Sequence, residues 1–405
     1  MIKIFNRQIS LKELFFITII PFGSLFISIG LYIKLQSILI FLACFFTVIK
    51  KENSIIIKNN IFSFTSLFFF GLGSIIGLCY VAFGDNDVYK YIEYSFLTFS
   101  TYVGFRYGYI KSQGDIVSFI FFIFFSVVIL FIPMFFSGKF YRSSIGVSNL
   151  FPVIMLFILC PQFRISSFLK TVALALFLLQ ILCIILSGMR SSVGNAVLVS
   201  VILLIYLLFD RRMQLGFVLM KRISLFLFCI ICIFFIIPSN LMHSIDNKLN
   251  SVYNRFSVTI FNDEKIKIDT NDEKGRVIQA QSLLKAIEHK NGNNILILGY
   301  GHGFTFFDEM SYKEKAHSHI TWTAYYARYG ILGVILYIIM FCFVLYKLIL
   351  LFFMNRNNYN IFSFALWLSV LQIFLTSLIA GSLISIINWI IIGMAVSFDT
   401  YKRII

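Results

Sequence analysis

An arginine stands between two long apolar runs of this sequence. Arg190 separates residues 170–187 from residues 193–209, and Ser191 and Ser192 follow it directly. A guanidinium offers a planar fork of N–H donors that suits a phosphate, and neighbouring hydroxyls add donors. The ordinary alternative is an arginine that reaches lipid headgroups beside a tight turn. The pattern therefore indicates either an interfacial anchor or an anion-binding group at a membrane boundary.

Two further arginines could bind the same anion. Arg276 is placed at the start of a predicted amphipathic helix, where the helix dipole disfavours a positive charge. A surface ion pair with Asp272 or Glu273 is the alternative explanation, and such pairs stabilise little. Arg328 lies nine residues after His319, and it is either an interfacial anchor or a third phosphate contact.

Histidines supply the candidate proton acceptors. His317 and His319 stand just before an apolar run, and an imidazole with a pKa near 6.5 suits deprotonation of an alcohol near neutral pH. No carboxylate or cysteine stands nearby at ligand spacing, so no metal site is predicted. Tyr300 and His302, in the stretch GYGHG, could line the same site, although the glycines alone could simply permit a turn.

The elements that must position these residues are membrane helices. The chain has 405 residues, of which 59% are hydrophobic and 13% charged, with a mean hydropathy of +0.90. Soluble proteins carry about 25% charged residues, so this composition excludes an ordinary soluble protein. Helices satisfy their own backbone polar groups in lipid, and the composition therefore predicts an all-α polytopic membrane protein.

Twelve apolar runs are predicted to span the bilayer as helices, which need about 20 residues each. They lie near residues 13–33, 36–49, 61–83, 91–109, 116–136, 145–160, 166–187, 192–209, 223–238, 329–353, 360–380 and 382–398. The runs at 36–49 and 145–160 are short for a span. One of them could be a tilted or broken helix, and the count could then differ by one.

The distribution of basic residues predicts the orientation. With the N-terminus inside, the inner loops carry seventeen Lys and Arg residues and the short outer loops carry five. This positive-inside bias predicts that both termini are cytoplasmic, and it explains the net charge of +16 without a nucleic-acid partner. The expected organisation is nine transmembrane helices in residues 1–238, a large periplasmic loop in 239–320 and three helices in 321–405.

The large loop contains the predicted amphipathic helix. Thr270 and Glu273 form a capping-box pattern at its start, and Gly292 is expected to stop it. The predicted apolar stripe consists of Val277, Ala280, Leu284 and Ile287.

Together these motifs resemble the O-antigen polymerase and O-antigen ligase superfamily. The resemblance rests on the order and spacing of four weak motifs across residues 180–335, and on the topology of the whole chain. The motifs are SGMRSS at 187–192, GR at 275–276, GYGHG at 299–303, and His319 eleven residues before Gly330 in a GxxG pattern that ends at Gly333. The aromatic residue that the superfamily often has after the loop arginine is replaced by Ala280, and Ile320 stands where asparagine often follows the histidine.

The resemblance implies a GT-C-like bundle and an inverting, metal-independent glycosyltransferase without a cofactor. Its donor and acceptor would be glycans on undecaprenyl pyrophosphate at the outer face of the bacterial inner membrane, and a chain-length regulator could be a partner. His319 would be the base, with His317 as the alternative, and Arg190 and Arg276 would hold the pyrophosphate. The substrate-binding residues would be Ser191, Ser192, His317, Arg328, Tyr300 and His302.

Three functions remain open from the sequence. A polymerase of O-antigen, capsule or exopolysaccharide is favoured by the GYGHG motif and the length. A ligase that transfers the glycan to the lipid A core is the alternative within the superfamily. A flippase or transporter is the alternative from another class, but the sequence lacks two similar six-span halves and a midplane cluster of ionisable residues.

Overall fold

The computed structural model describes the chain in separate stretches. These are residues 2–4, 7–9, 60–112, 149–159, 177, 180–181, 190–208, 271–292, 295–309, 311–316, 318, 320–354, 358–380 and 386–401. The statements below concern these residues.

The described residues are mostly helical, as the sequence predicts. The helices are α1 (Ile61–Ala82), α2 (Val88–Ser112), α3 (Phe151–Leu159), α4 (Arg190–Leu208), α5 (Asn271–Asn291), α6 (Thr321–Phe353), α7 (Asn358–Ala380) and α8 (Ile386–Tyr401). Two antiparallel hairpins pair β1 (Ile2–Ile4) with β2 (Arg7–Ile9) and β3 (Phe306–Asp308) with β4 (Lys313–Lys315). The all-α prediction missed these hairpins, because strands of three residues are too short to produce a recognisable alternation.

Among the described residues, three helices are long and apolar enough to cross a membrane by length and composition. They are Ile61–Ala82, Thr321–Phe353 and the stretch Asn360–Leu378 of α7. Shorter apolar helical stretches lie at Gly194–Leu207 and Ile386–Phe398. The predicted runs at 13–33, 36–49, 116–136 and 223–238 lie outside the described residues, so the count of twelve spans stays a prediction.

The chain forms two compact units, and the first contains residues 1–46, 111–268 and 348–372. In this unit α3 packs against α4. The Tyr206 ring of α4 stacks on the Phe364 ring of α7, with 3.8 Å between the centroids. Aromatic stacking of this kind contributes about 0.5–1.5 kcal/mol beyond the area buried.

The second unit contains residues 47–110, 269–347 and 373–405. α1 begins where the Asn60 side chain accepts a hydrogen bond from the Phe62 amide at 2.9 Å, which satisfies one of the free N–H groups of the first turn. α1 and α2 lie side by side, since Ser74 donates to Ser95 at 3.3 Å. All the contacts that build the candidate site below lie within this unit.

The predicted loop helix is confirmed as α5, and its buried face packs on β3. Ala280, Leu283 and Ile287 are buried, whereas Val277 is 52% exposed, so its assignment to the apolar stripe was wrong. Gly292 adopts a φ of 57° and donates to Glu288 O, which is the predicted stop.

α6 is broken at Gly330, where φ is 64° and ψ is −158°. We call residues 321–329 the short arm and residues 331–353 the long arm. Thr321 and Tyr337 both hydrogen-bond to Ser377, although sixteen residues of straight helix would separate them by roughly 24 Å. The short arm therefore folds back along the long arm, and the predicted span at 329–353 corresponds to the long arm.

Candidate functional site

The GYGHG turn (residues 299–303) packs directly on the side of α1. The His302 amide donates to Gly73 O at 2.9 Å. A Cβ atom at Gly73 would overlap the His302 ring, and a Cβ at Gly77 would lie 2.6 Å from the His302 amide nitrogen. Two glycines four residues apart thus form a flat surface on α1 that admits a backbone turn.

The His302 imidazole is enclosed by hydrogen-bonding partners. Its Nδ1 lies 2.9 Å from Ser95 Oγ and its Nε2 lies 3.2 Å from the Tyr329 hydroxyl, and the residue is completely buried. Burial, together with the positive charge of Arg328, lowers the pKa of His302 to about 3. The ring is therefore neutral at physiological pH and joins the turn to α2 and to the short arm of α6.

The lowered pKa of His302 predicts that the free energy of unfolding depends on pH. The pKa of His302 is about 3 in the folded chain against 6.5 for the free side chain, so below pH 6.5 only the unfolded chain gains the proton. The stabilisation is complete above pH 6.5 and declines as the pH falls toward 3. Between about pH 7.5 and about pH 5 we expect a loss of roughly 2 kcal/mol, visible as a lower apparent Tm.

His302→Gln should remove this contribution to the pH dependence, because glutamine hydrogen-bonds without titrating. His289→Gln is the matched control, since His289 is exposed on α5. An equal fall in Tm for the wild type and His302→Gln over the same pH range would contradict the assignment.

The turn and the residues before it also supply hydrogen-bond partners for the backbone at the break in α6. At the break, Ala327 O and Arg328 O accept from the amides of Tyr300 and Gly301 at 2.8 and 2.9 Å. On the other side, the amides of Ile331 and Leu332 donate to Leu296 O and Ile297 O at 2.8 and 3.5 Å. Backbone groups that a helix interruption leaves unpaired thus find partners in residues 296–301.

A buried asparagine holds the same turn from the α1–α2 connection. Asn86 Nδ2 donates to Tyr300 O at 2.9 Å and to His302 O at 3.1 Å. The Asp87 amide donates to Gly303 O at 3.1 Å. The turn is therefore fixed to α1, to the start of α2 and to the short arm.

Arg328 is a buried cation, with only 2% of its surface exposed. Its guanidinium carbon lies 3.8 Å from the centroid of the Tyr94 ring, and one of its N–H groups donates to Ala316 O. Within the described residues, no carboxylate forms an ion pair with it. A buried charge of this kind is costly, and the remaining N–H donors are suited to an anionic group.

Lys290 connects the end of α5 to the turn. Its Nζ lies 5.0 Å from the Tyr300 ring centroid, 5.5 Å from that of Tyr80 and 5.8 Å from that of Phe304. It also lies 3.8 Å from Asp85 Oδ1. Burial, with Tyr80 as the next contribution, raises the pKa of Tyr300 to about 12, so the phenol stays neutral beside the lysine.

The structure brings together three of the residues that the sequence predicted, namely Tyr300, His302 and Arg328. Arg276 is partly buried on α5, but the helix begins at Asn271, so Arg276 lies beyond its first turn and the argument from the helix dipole was wrong. Arg190 is the first residue of α4. The side chains of Arg190, Ser191 and Ser192, and the residues His317 and His319, lie outside the described part of the chain.

The sequence reasoning missed the residues that receive the turn: Gly73, Gly77, Asn86 and Ser95. The GxxxG spacing of the two glycines was an available signal, because it marks a face of a membrane helix that another backbone can approach. Asn86 and Ser95 carried no comparable signal.

Comparison with known proteins gives a match that covers part of this site. Residues 173–338 match the family model described as O-antigen ligase, and they include the turn, the short arm and Arg328. This match supports membership of the O-antigen polymerase and ligase superfamily and a polymerase or ligase activity in the broad sense. Searches of curated proteins and of solved structures found no significant match.

Proposed function

We propose that the chain is a lipid-carrier-dependent membrane glycosyltransferase, specifically a polysaccharide polymerase, because residues 173–338 match the family model described as O-antigen ligase. Its donor and acceptor are repeat units on undecaprenyl pyrophosphate, and its product is a longer carrier-linked glycan. The reaction takes place at the periplasmic face of the inner membrane, with both termini in the cytoplasm. This family match does not favour the flippase or transporter alternative.

One observation carries the proposal: a buried arginine, within the matched region, forms no ion pair with a described carboxylate. Arg328 is enclosed by Tyr94 and by Ala316 O. The desolvation cost of a cation held in this way is offset most strongly when a doubly charged ligand such as a pyrophosphate binds. The arginine fork also stabilises the negative charge that grows on the leaving group during transfer, which is often the largest single contribution to catalysis.

The proposed chemistry assigns one role to each residue. His319, with His317 as the alternative, accepts the proton of the acceptor hydroxyl, whose oxygen forms the new bond to the anomeric carbon. The bond from that carbon to the pyrophosphate oxygen breaks, and its electron pair leaves with undecaprenyl pyrophosphate. Arg190, Arg276 and Arg328 hold the pyrophosphate, and Ser191 and Ser192 add hydrogen bonds. A single displacement of this kind inverts the anomeric configuration.

A ligase is the second candidate, because the matching family model is described as O-antigen ligase. The two activities differ in the acceptor: a polymerase uses a second carrier-linked repeat, and a ligase uses the lipid A core. In vitro, the purified chain is given one carrier-linked repeat unit, either alone or with lipid A core. A ladder of products without lipid A supports the polymerase, and transfer only when lipid A core is present supports the ligase.

Single substitutions test the assigned residues. His319→Ala should lower the rate of glycan transfer by roughly 100-fold or more with little effect on donor binding, because a general base contributes about 10²–10⁴-fold. Arg190→Ala and Arg276→Ala should weaken both transfer and donor binding. The assay follows product ladders on gels at matched protein levels, with His289→Ala and Lys285→Ala as controls at exposed positions of α5.

The outcomes separate the alternatives for the base. If His319→Ala transfers glycan at the wild-type rate while His317→Ala does not, the base is His317. If the alanine variants of Arg190, Arg276 and His319 all give wild-type ladders, the glycosyltransferase proposal is wrong.

A further inference from the structure

The guanidinium of Arg328 lies on the face of a buried aromatic ring. Its central carbon is 3.8 Å from the centroid of the Tyr94 ring, and Tyr94 belongs to α2. This separation fits two stacked planes, and the negative face of an aromatic ring attracts a cation. The N–H groups of a guanidinium point outward in its own plane. A stacked ring therefore covers one face of the fork and leaves its N–H donors available.

A backbone carbonyl fixes the edge of the same fork. One N–H group of Arg328 donates to Ala316 O, and Ala316 directly follows β4. The β3–β4 hairpin is closed by an ion pair between Lys315 and Asp308. The Asp308 carboxylate is buried and also accepts a hydrogen bond from the Ser311 hydroxyl at 2.6 Å. The ring and the carbonyl thus come from different elements, and they restrict the guanidinium from its face and from its edge.

The position of Tyr94 is itself fixed, because the next residue of α2 is tied to the short arm. Ser95 Oγ lies 2.9 Å from His302 Nδ1, and His302 Nε2 lies 3.2 Å from the Tyr329 hydroxyl. Two consecutive residues of α2 thus meet two consecutive residues of the short arm, one pair directly and the other through His302. All these partners belong to the protein, so they orient the Arg328 fork without help from a ligand.

A fixed orientation matters for a group that stabilises developing charge. Donors that already point at the leaving group cost no reorganisation when the charge forms. A free arginine side chain has several rotatable bonds, and ordering them on binding opposes the interaction. A misplacement of about 1 Å can lower a reaction rate about 100-fold. A residue that orients Arg328 is therefore expected to affect the rate of transfer without touching the substrate.

From these contacts we propose that Tyr94 is a positioning residue of the transferase. Its ring holds the Arg328 guanidinium in the orientation in which the fork meets the pyrophosphate of the carrier-linked glycan. This inference rests on the proposed function, in which Arg328 binds that pyrophosphate. The face of the ring supplies the effect, so phenylalanine at this position retains it and an aliphatic side chain loses it.

Steady-state kinetics of the purified full chain with the carrier-linked repeat unit test the role of Tyr94. Tyr94→Leu should lower kcat roughly 10- to 100-fold, with a smaller change in KM, because the charge on the leaving group is largest in the transition state. Tyr94→Phe should recover most of the wild-type kcat. If Tyr94→Leu does not accumulate as a folded protein, Tyr94→Met takes its place, because methionine adapts to irregular space in a core.

Tyr107→Leu is the matched control, because it also removes a buried tyrosine ring from α2. We expect a lower Tm and an unchanged kcat from this variant. Equal values of kcat for Tyr94→Leu and Tyr94→Phe would overturn the inference, since the ring would then have no effect of its own.

A double-mutant cycle separates positioning of Arg328 from general support of the fold. In the Arg328→Met background, with the protein concentration raised to give measurable product, Tyr94→Leu should lower kcat by less than about threefold, because the group that the ring orients is gone. An equal loss of kcat in both backgrounds contradicts the positioning role.

The same variants distinguish failure of this inference from failure of the proposed function. If Arg328→Met transfers glycan at the wild-type rate, the pyrophosphate role of Arg328 is wrong and the inference fails with it. If Arg328→Met is slow while Tyr94→Leu is as fast as the wild type, the role of Arg328 stands and only the role of Tyr94 is wrong.

Discussion

Replacing Arg328 with methionine is expected to lower the rate of glycan transfer roughly 100- to 1,000-fold, the usual cost of removing one group that stabilises transition-state charge. The same substitution should leave the apparent Tm unchanged or raise it. The guanidinium is buried without a carboxylate among the described residues, so an apolar side chain of similar length removes a desolvation cost. Product ladders and thermal unfolding of the same preparation measure the two effects.

Lys347→Met is the matched control, because it removes a buried positive charge from the long arm of the same helix. Lys347 Nζ lies over the Phe343 ring, 5.5 Å from its centroid, and we expect normal transfer from this variant. A lower Tm together with normal transfer in Arg328→Met would show that Arg328 only supports the fold.

Replacing Gly77 with alanine is expected to destabilise the protein by about 3 kcal/mol, the upper end of the range for overpacking. A Cβ at this position would overlap His302 O and lie 2.6 Å from His302 N and 3.0 Å from the Tyr91 ring. The contact on one side is backbone that is itself hydrogen-bonded to Gly73 and Asn86, so it cannot move away freely. Thermal unfolding and the folded fraction on gel filtration measure the loss.

Gly71→Ala is the matched control on the same helix. A Cβ there would meet nothing within 4 Å, and alanine should stabilise the helix by up to about 1 kcal/mol. If both variants have the same Tm, the GYGHG turn does not pack on α1 as described.

The sequence predicts the elements well where the signal is local. The end of α5 follows from Gly292, and α1 matches the predicted run at 61–83 within one residue. The break in α6 was harder to predict, because Gly330 is the second residue of the predicted run at 329–353, and the residues before it read only as the entry to that span. Glycine adopts this positive φ readily, and residues 296–301 supply partners for the backbone groups that the break leaves unpaired.

The candidate site could be predicted by residue type but not by arrangement. Tyr300, His302 and Arg328 were identified because their chemistry is unusual beside a membrane span. Their partners Ser95 and Asn86 are ordinary polar residues near one end of an early helix, and nothing in their own neighbourhood marks them. Such pairings depend on the tertiary fold, which periodicity and spacing do not encode.

The two carbonyls that bind Asn86 lie 214 and 216 positions further along the chain. At 5–20 residues per second, the ribosome needs roughly 10–40 s to make the intervening polypeptide. Throughout that interval the newly inserted α1–α2 hairpin presents the Asn86 amide, the Ser95 hydroxyl and the Gly73 carbonyl without the groups that later cover them. Biogenesis of this protein therefore includes a prolonged interval in which these three groups lack the partners that residues 300–302 later supply.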